Sequence, residues 1–189
     1  MAGLIILAQA AGRVRGARAL YLWPGLVLFA GVGLLGVLLL PHHRDVPARV
    51  QWAFVIGDPQ QRQHLVLGFL IVIAGTVELL LRGGRLHAPL WRVAWPAAVI
   101  IVGVLFIIHA QHGPHEAIAR ALLFHRVLGA LLIATGLLRL WEIASGSTAR
   151  WLSFSWGLTL LAAGALLIGY REPESSHGMT HQLTNTRSP

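Results

Sequence analysis

Four histidines, His109, His112, His115 and His125, stand in or beside apolar sequence in "FIIHAQHGPHEAIARALLFHRVLG", residues 106–129. Neutral imidazole is the commonest protein metal ligand, and it also holds haem iron axially. His109 and His112 are three residues apart, so on a helix they share a face, a spacing compatible with metal binding. Gly113 and Pro114 then break the helix, and "HEAIAR" suits the first turn of the next one, with Glu116 favourable near its positive end. The bend returns the chain so that His125 can meet His109. The alternative is a polar helix end in water, with interfacial histidines that bind nothing.

Other donors lie further off. "PHHRD" at 41–45 supplies His42 and His43, and "HGMTHQ" at 177–182 supplies His177, Met179 and His181. Imidazole with thioether is a set that copper tolerates, so these residues and His115 are auxiliary candidates. Residues 171–189 otherwise read as a polar tail. The chain has no cysteine, which excludes disulfides, thiolate metal sites and thiol catalysis.

The elements that must position these groups are membrane spans. The 189 residues are 56% hydrophobic and 12% charged, with a mean hydropathy of +0.67, outside the range of a soluble domain. Apolar runs of about 20 residues suffice to cross a hydrocarbon core about 30 Å thick. There are five of them: Ala19–Leu40, His64–Leu81, Leu90–His109, Ala121–Trp141 and Trp151–Tyr170. Lipid offers the backbone no partners, so these runs must be helices. The expected organisation is an amino-terminal interfacial segment over 1–18, a five-helix transmembrane domain over 19–170 and the tail over 171–189. "AGLIILAQAAGRVRGAR" has no basic residue before its apolar stretch, so it reads as retained rather than as a cleaved signal.

Fifteen arginines and no lysine give a net charge of +8. They flank the spans, which points to membrane orientation rather than nucleic acid. Five spans put Arg13, Arg15, Arg18, Arg82, Arg85, Arg92, Arg139 and Arg150 on one side, against Glu78 and Glu142. The other side holds seven arginines in longer segments, against five acidic residues. The first side is therefore expected to be cytoplasmic, with the amino terminus, and the carboxyl tail extracytoplasmic. Nine of the ten histidines sort to the extracytoplasmic side, and only His87 lies opposite.

A shift of 61 residues aligns "HLVLGFLIVIAGTVELLLR" from 64 with "HRVLGALLIATGLLRLWEI" from 125. It pairs His64 with His125, Val66 with Val127, Leu67 with Leu128, Gly68 with Gly129, Leu70 with Leu131 and Gly75 with Gly136. The same shift pairs Trp95 with Trp156 and Gly103 with Gly164 in the following span. This predicts an all-α four-helix bundle from a duplicated helical hairpin, the second and third spans matching the fourth and fifth, with the first span added. Within a span, Gly68 and Gly75 lie about 40° and 20° from His64 around the helix, so the three share a stripe. Such a stripe admits a neighbouring backbone or a flat macrocycle. Glu78 and Arg139, each fourteen residues beyond its histidine, are expected to form an ion pair inside the bundle.

No phosphate-binding loop, nucleophile with a base, or carboxylate dyad is present, so binding is expected in preference to catalysis. "QHLVLG" at 63–68, "HAQHG" at 109–113 and "HRVLG" at 125–129 resemble, in pattern, two groups of bacterial membrane proteins. These are the copper-resistance D family, with histidines near the periplasmic face, and the four-helix transmembrane cytochromes b with paired helix histidines. The likeness spans about residues 60–170 and implies an inner-membrane location. The two-haem cytochromes carry a second histidine pair towards the other face, where this chain has only His87. The resemblance thus implies one extracytoplasmic site. Three readings stand: a copper site of His64, His109, His112 and His125, in copper handling or beside a larger metalloprotein; one haem b between His64 and His125, approached over Gly68 and Gly129; or a noncatalytic accessory subunit packing on other membrane subunits.

Overall fold

The computed structural model describes residues 1–13, 19–39, 48–108, 115–146 and 149–170, and within these the side chains other than those of 48, 50, 51 and 115–117. The described residues form helices α1 (Ala2–Ala10), α2 (Ala19–Leu39), α3 (Ala48–Gly57), α4 (Pro59–Arg82), α5 (Trp91–Ile107), α6 (His115–Ala144) and α7 (Arg150–Gly169). Four of them, α2, α4, α6 and α7, are long and apolar enough to cross a membrane, while α5 is a shorter apolar helix of 17 residues. Their outward surfaces are apolar: Phe29, Leu123 and Ile168 are each more than 60% exposed. That arrangement suits lipid, which has no preference for polar side chains.

The helices pack in a ring, α2 against α4, α4 against α5, α5 against α6 and α6 against α7, and α1 bridges α7 back to α2. Small residues set the two closest interfaces. A Cβ on Gly103 of α5 would lie 2.7 Å from the Gly129 carbonyl of α6, and one on Gly136 would lie 2.7 Å from the Pro96 carbonyl. Between α2 and α4, a Cβ on Gly31 would lie 2.9 Å from the Val72 nitrogen, and one on Gly75 the same distance from the Leu28 nitrogen. These contacts correspond: Gly68, Val72 and Gly75 meet Leu35, Gly31 and Leu28, while Gly129, Ile133 and Gly136 meet Ile107, Gly103 and Ile100. Residues 61 apart on α4 and α6 therefore make the same contacts to residues 72 apart on α2 and α5.

Several boundaries differ from the sequence expectation. The helix carrying His64 begins at Pro59, because the Asp58 carboxylate accepts the Gln61 backbone N–H at 2.9 Å and proline occupies the first helical position. The helix carrying His125 begins at His115, where "HEAIAR" reads as a first turn, six residues ahead of the apolar run, which places His125 about 15 Å along it. Helix α3 was expected as loop; its Val55 is buried while Trp52, Phe54 and Ile56 are exposed. The amino-terminal segment, expected at the interface, forms α1 and packs antiparallel on α7, Gly3 beside Leu161 and Gly157 beside Ile6. Ile6 is consequently part of the core with Trp23, Trp95 and Trp156. Gln9 donates its side-chain amide to the Ala19 carbonyl, tying the end of α1 to the start of α2.

Candidate functional site

The bundle has two chemically distinct ends. At the histidine-rich end, His125 is 8% exposed. Its Nδ1 lies 2.6 Å from the Ala121 carbonyl. A carbonyl only accepts, so Nδ1 carries the proton, and in the neutral ring the lone pair then resides on Nε2. Phe106 of α5 stacks on the imidazole at a centroid distance of 5.5 Å, and Phe124 and Tyr170 meet it edge-on. His125 thus faces the end of α5, the side from which the chain continues towards His109 and His112. His64 is half-buried on α4.

The remaining histidine-end candidates, His42, His43, His109, His112, His177, Met179 and His181, lie outside the described residues, as does the side chain of His115. Among the described residues no three metal-ligating side chains gather. The glycine stripes can be tested against a macrocycle. Gly68 packs on Leu35 and Leu34 of α2, and Gly129 packs on the Gly103 carbonyl and Ile107 of α5. Each stripe meets a different neighbouring helix, that of Gly68 meeting α2 and that of Gly129 meeting α5. Gly68 and Gly129 act as helix–helix contacts.

The arginine-rich end holds a denser polar constellation. Each of the three helices that start there carries a tryptophan in its first two turns: Trp23 of α2, Trp95 of α5 and Trp156 of α7. The Trp23 ring meets Trp95 edge-on at 4.9 Å and Trp156 at 6.0 Å. Arg82 lies over Trp23 at 4.8 Å, and Arg139 lies over Trp156 at 5.3 Å, so a guanidinium caps two of the three rings. The indole Nε1 of Trp156 donates to Glu142 Oε2 at 2.8 Å, whereas the buried Nε1 atoms of Trp23 and Trp95 have no partner among the described residues.

The expected Glu78–Arg139 ion pair is replaced by two intrahelical ones. Arg82 Nε donates to Glu78 Oε1 at 2.8 Å, and Arg139 donates to Glu142. The reason is local: residues three or four apart on a helix meet without bringing two helices together. Glu142, counted in the sequence as a loop charge, collects hydrogen bonds from Arg139, Ser153 and Trp156 and so ties α6 to α7. Glu78 is 3% exposed. It and Arg139 nevertheless border one cavity of about 320 Å³, with Glu142, Leu81, Ile143 and Arg92. Deeper, Thr135 of α6 donates to the Leu131 carbonyl and reaches Thr159 of α7 at 2.8 Å.

Sequence reasoning missed this end because its charges were sorted as orientation signals. A usable sign was present: Trp23, Trp95 and Trp156 are each followed by proline or glycine, and each has a glycine eight residues on, at 31, 103 and 164. The chain matches no protein-family model, and no curated protein or solved structure is significantly similar to it.

Proposed function

We propose that this protein is an integral membrane protein that binds copper at its histidine-rich end, in copper handling or beside a larger metalloprotein. His125 is the buried ligand, through Nε2. His109 and His112, three residues apart beyond the end of α5, and His64 complete the set. The observation that carries this reading is the Nδ1 bond of His125 to the Ala121 carbonyl. Metal-ligating histidines are commonly fixed in this way, with the second ring nitrogen donating to a carbonyl and the first left basic. A set of imidazoles without thiolate or carboxylate favours copper, which heads the divalent affinity order.

In this reading the arginine-rich end faces the cytoplasm, and the metal end faces the extracytoplasmic side of a bacterial inner membrane. Helix α5, at about 26 Å, crosses as the fifth span with slight thinning of the bilayer. The matching contacts of α2 with α4 and of α5 with α6 support duplication of a two-helix unit made of these pairs, where the 61-residue shift predicts α4–α5 matched with α6–α7. Elemental analysis with an absorption spectrum on the dialysed protein tests the function. Stoichiometric copper without a Soret band supports it. A Soret band with split reduced α-band would replace it by haem, and neither metal nor haem would leave the accessory-subunit reading.

A further inference from the structure

The cavity between α4, α5 and α6 at the arginine-rich end is independent of any metal at the other end. Its charges are unevenly satisfied. Glu142 is engaged by three donors, and Arg139 by Glu142. Glu78, by contrast, receives only the Arg82 Nε–H on Oε1, and its second oxygen has no donor among the described residues. Arg92, exposed at the start of α5, lines the same cavity, and its guanidinium has no ion-pair or hydrogen-bond partner among the described residues. The site therefore presents one unfilled carboxylate oxygen, at a buried residue, and one unfilled guanidinium.

The depth of the cavity identifies the source of a ligand. Tyr21, Trp91, Trp141 and Trp151 are each at least 40% exposed and cluster within a turn of the helix ends at this same end. Exposed tryptophan and tyrosine at helix ends mark the headgroup layer of a bilayer. Arg92 adjoins Trp91 in sequence, and Leu81 and Ile143 supply apolar wall. At about 320 Å³ the cavity falls at the lower end of the range for small-molecule sites, about 300–1,000 Å³.

We propose that this cavity binds the headgroup of phosphatidylethanolamine from the surrounding leaflet, its primary ammonium donating to Glu78 and its phosphate accepting from Arg92. A primary ammonium supplies the N–H donor that the second Glu78 oxygen lacks. A phosphodiester supplies the anion that Arg92 lacks, in the fork geometry a guanidinium favours. Choline cannot donate a hydrogen bond and glycerol donates only from neutral hydroxyls, so phosphatidylcholine and phosphatidylglycerol offer Arg92 a phosphate but Glu78 no charge-assisted hydrogen bond. One charge-assisted hydrogen bond corresponds to about a tenfold change in affinity.

Native mass spectrometry of the full chain, delipidated in detergent and titrated with lipids of identical acyl chains, tests this. Phosphatidylethanolamine should bind about tenfold more tightly than phosphatidylcholine or phosphatidylglycerol. Arg92→Gln should weaken all three lipids about equally, since each carries the phosphodiester, and Glu78→Gln should abolish the advantage of phosphatidylethanolamine over both of the others. Equal binding of the three lipids, preference for phosphatidylglycerol, or an unchanged Arg92→Gln variant would overturn the proposal. Free phosphoethanolamine binding as tightly as the lipid would overturn the assignment to the leaflet.

Discussion

Trp95 and Trp156 offer a matched test of how the tryptophan cluster is held. They are 61 residues apart, lie on α5 and α7 and are each 4% exposed, so a change to phenylalanine removes the same apolar surface from both. Their polar atoms differ. Trp156 Nε1 donates to Glu142 at 2.8 Å, while Trp95 Nε1 is buried without a partner among the described residues. Trp156→Phe loses a hydrogen bond to a charged group, worth about 1.5–3 kcal/mol in water-soluble proteins and at most about 1.7 kcal/mol between helices in a membrane. Because Arg139 and Ser153 still reach Glu142, we take about 1 kcal/mol. Trp95→Phe removes an unsatisfied donor whose burial costs about 1–3 kcal/mol. Trp95→Phe should therefore be more stable than Trp156→Phe by about 2–4 kcal/mol, measured by reversible denaturation in mixed micelles. Equal stabilities, or a more damaging Trp95→Phe, would refute the reasoning, since the indole bond to Glu142 would then contribute nothing.

Three further outcomes follow from contacts of the same kind. Gly103→Ala should destabilise by about 1–3 kcal/mol, since its Cβ would meet the Gly129 carbonyl at 2.7 Å, whereas Gly164→Ala at the corresponding position of α7 has open space and should be neutral or stabilising; thermal unfolding of both checks this. Glu142→Ala removes the acceptor that Arg139, Ser153 and Trp156 share between α6 and α7, and should cost about 3 kcal/mol and loosen α7, visible as faster hydrogen exchange over residues 150–160. Asp58→Ala removes the α4 cap and should cost about 1 kcal/mol, read from unfolding and from fraying of residues 59–62.

The coarse architecture was legible because it depends on run length and apolarity, which the bilayer reads without regard to detail. The long helices at 19–39, 59–82, 115–144 and 150–169 overlap the expected spans, and the 61-residue offset marks residues that make corresponding contacts. Periodicity placed His64, Gly68 and Gly75 on one stripe correctly but could not say what the stripe meets. A glycine face suits a helix backbone and a macrocycle equally, and only the packing distinguishes them. The same limit explains Glu78 and Arg139. Sharing a depth brought them to one cavity, but Arg82 and Glu142, closer along their own helices, took the ion pairs. Helix α3 was hidden by its shortness, ten residues between a helix end and a proline. The histidine site is the least constrained, because of its proposed core ligands only His64 and His125 have described side chains.

The central claim is that His125 ligates copper through Nε2. A competition titration of Cu(II) against a chelator of known affinity, on the full chain in detergent, tests it most directly. Disrupting a residue that merely orients a ligand costs about 10–100-fold in metal affinity, so loss of a ligand itself should cost at least as much. One tight copper per chain, weakened at least about 100-fold in His125→Ala and retained in His87→Ala at the opposite end, is the predicted result. Equal copper affinity in the wild type and His125→Ala would contradict the account.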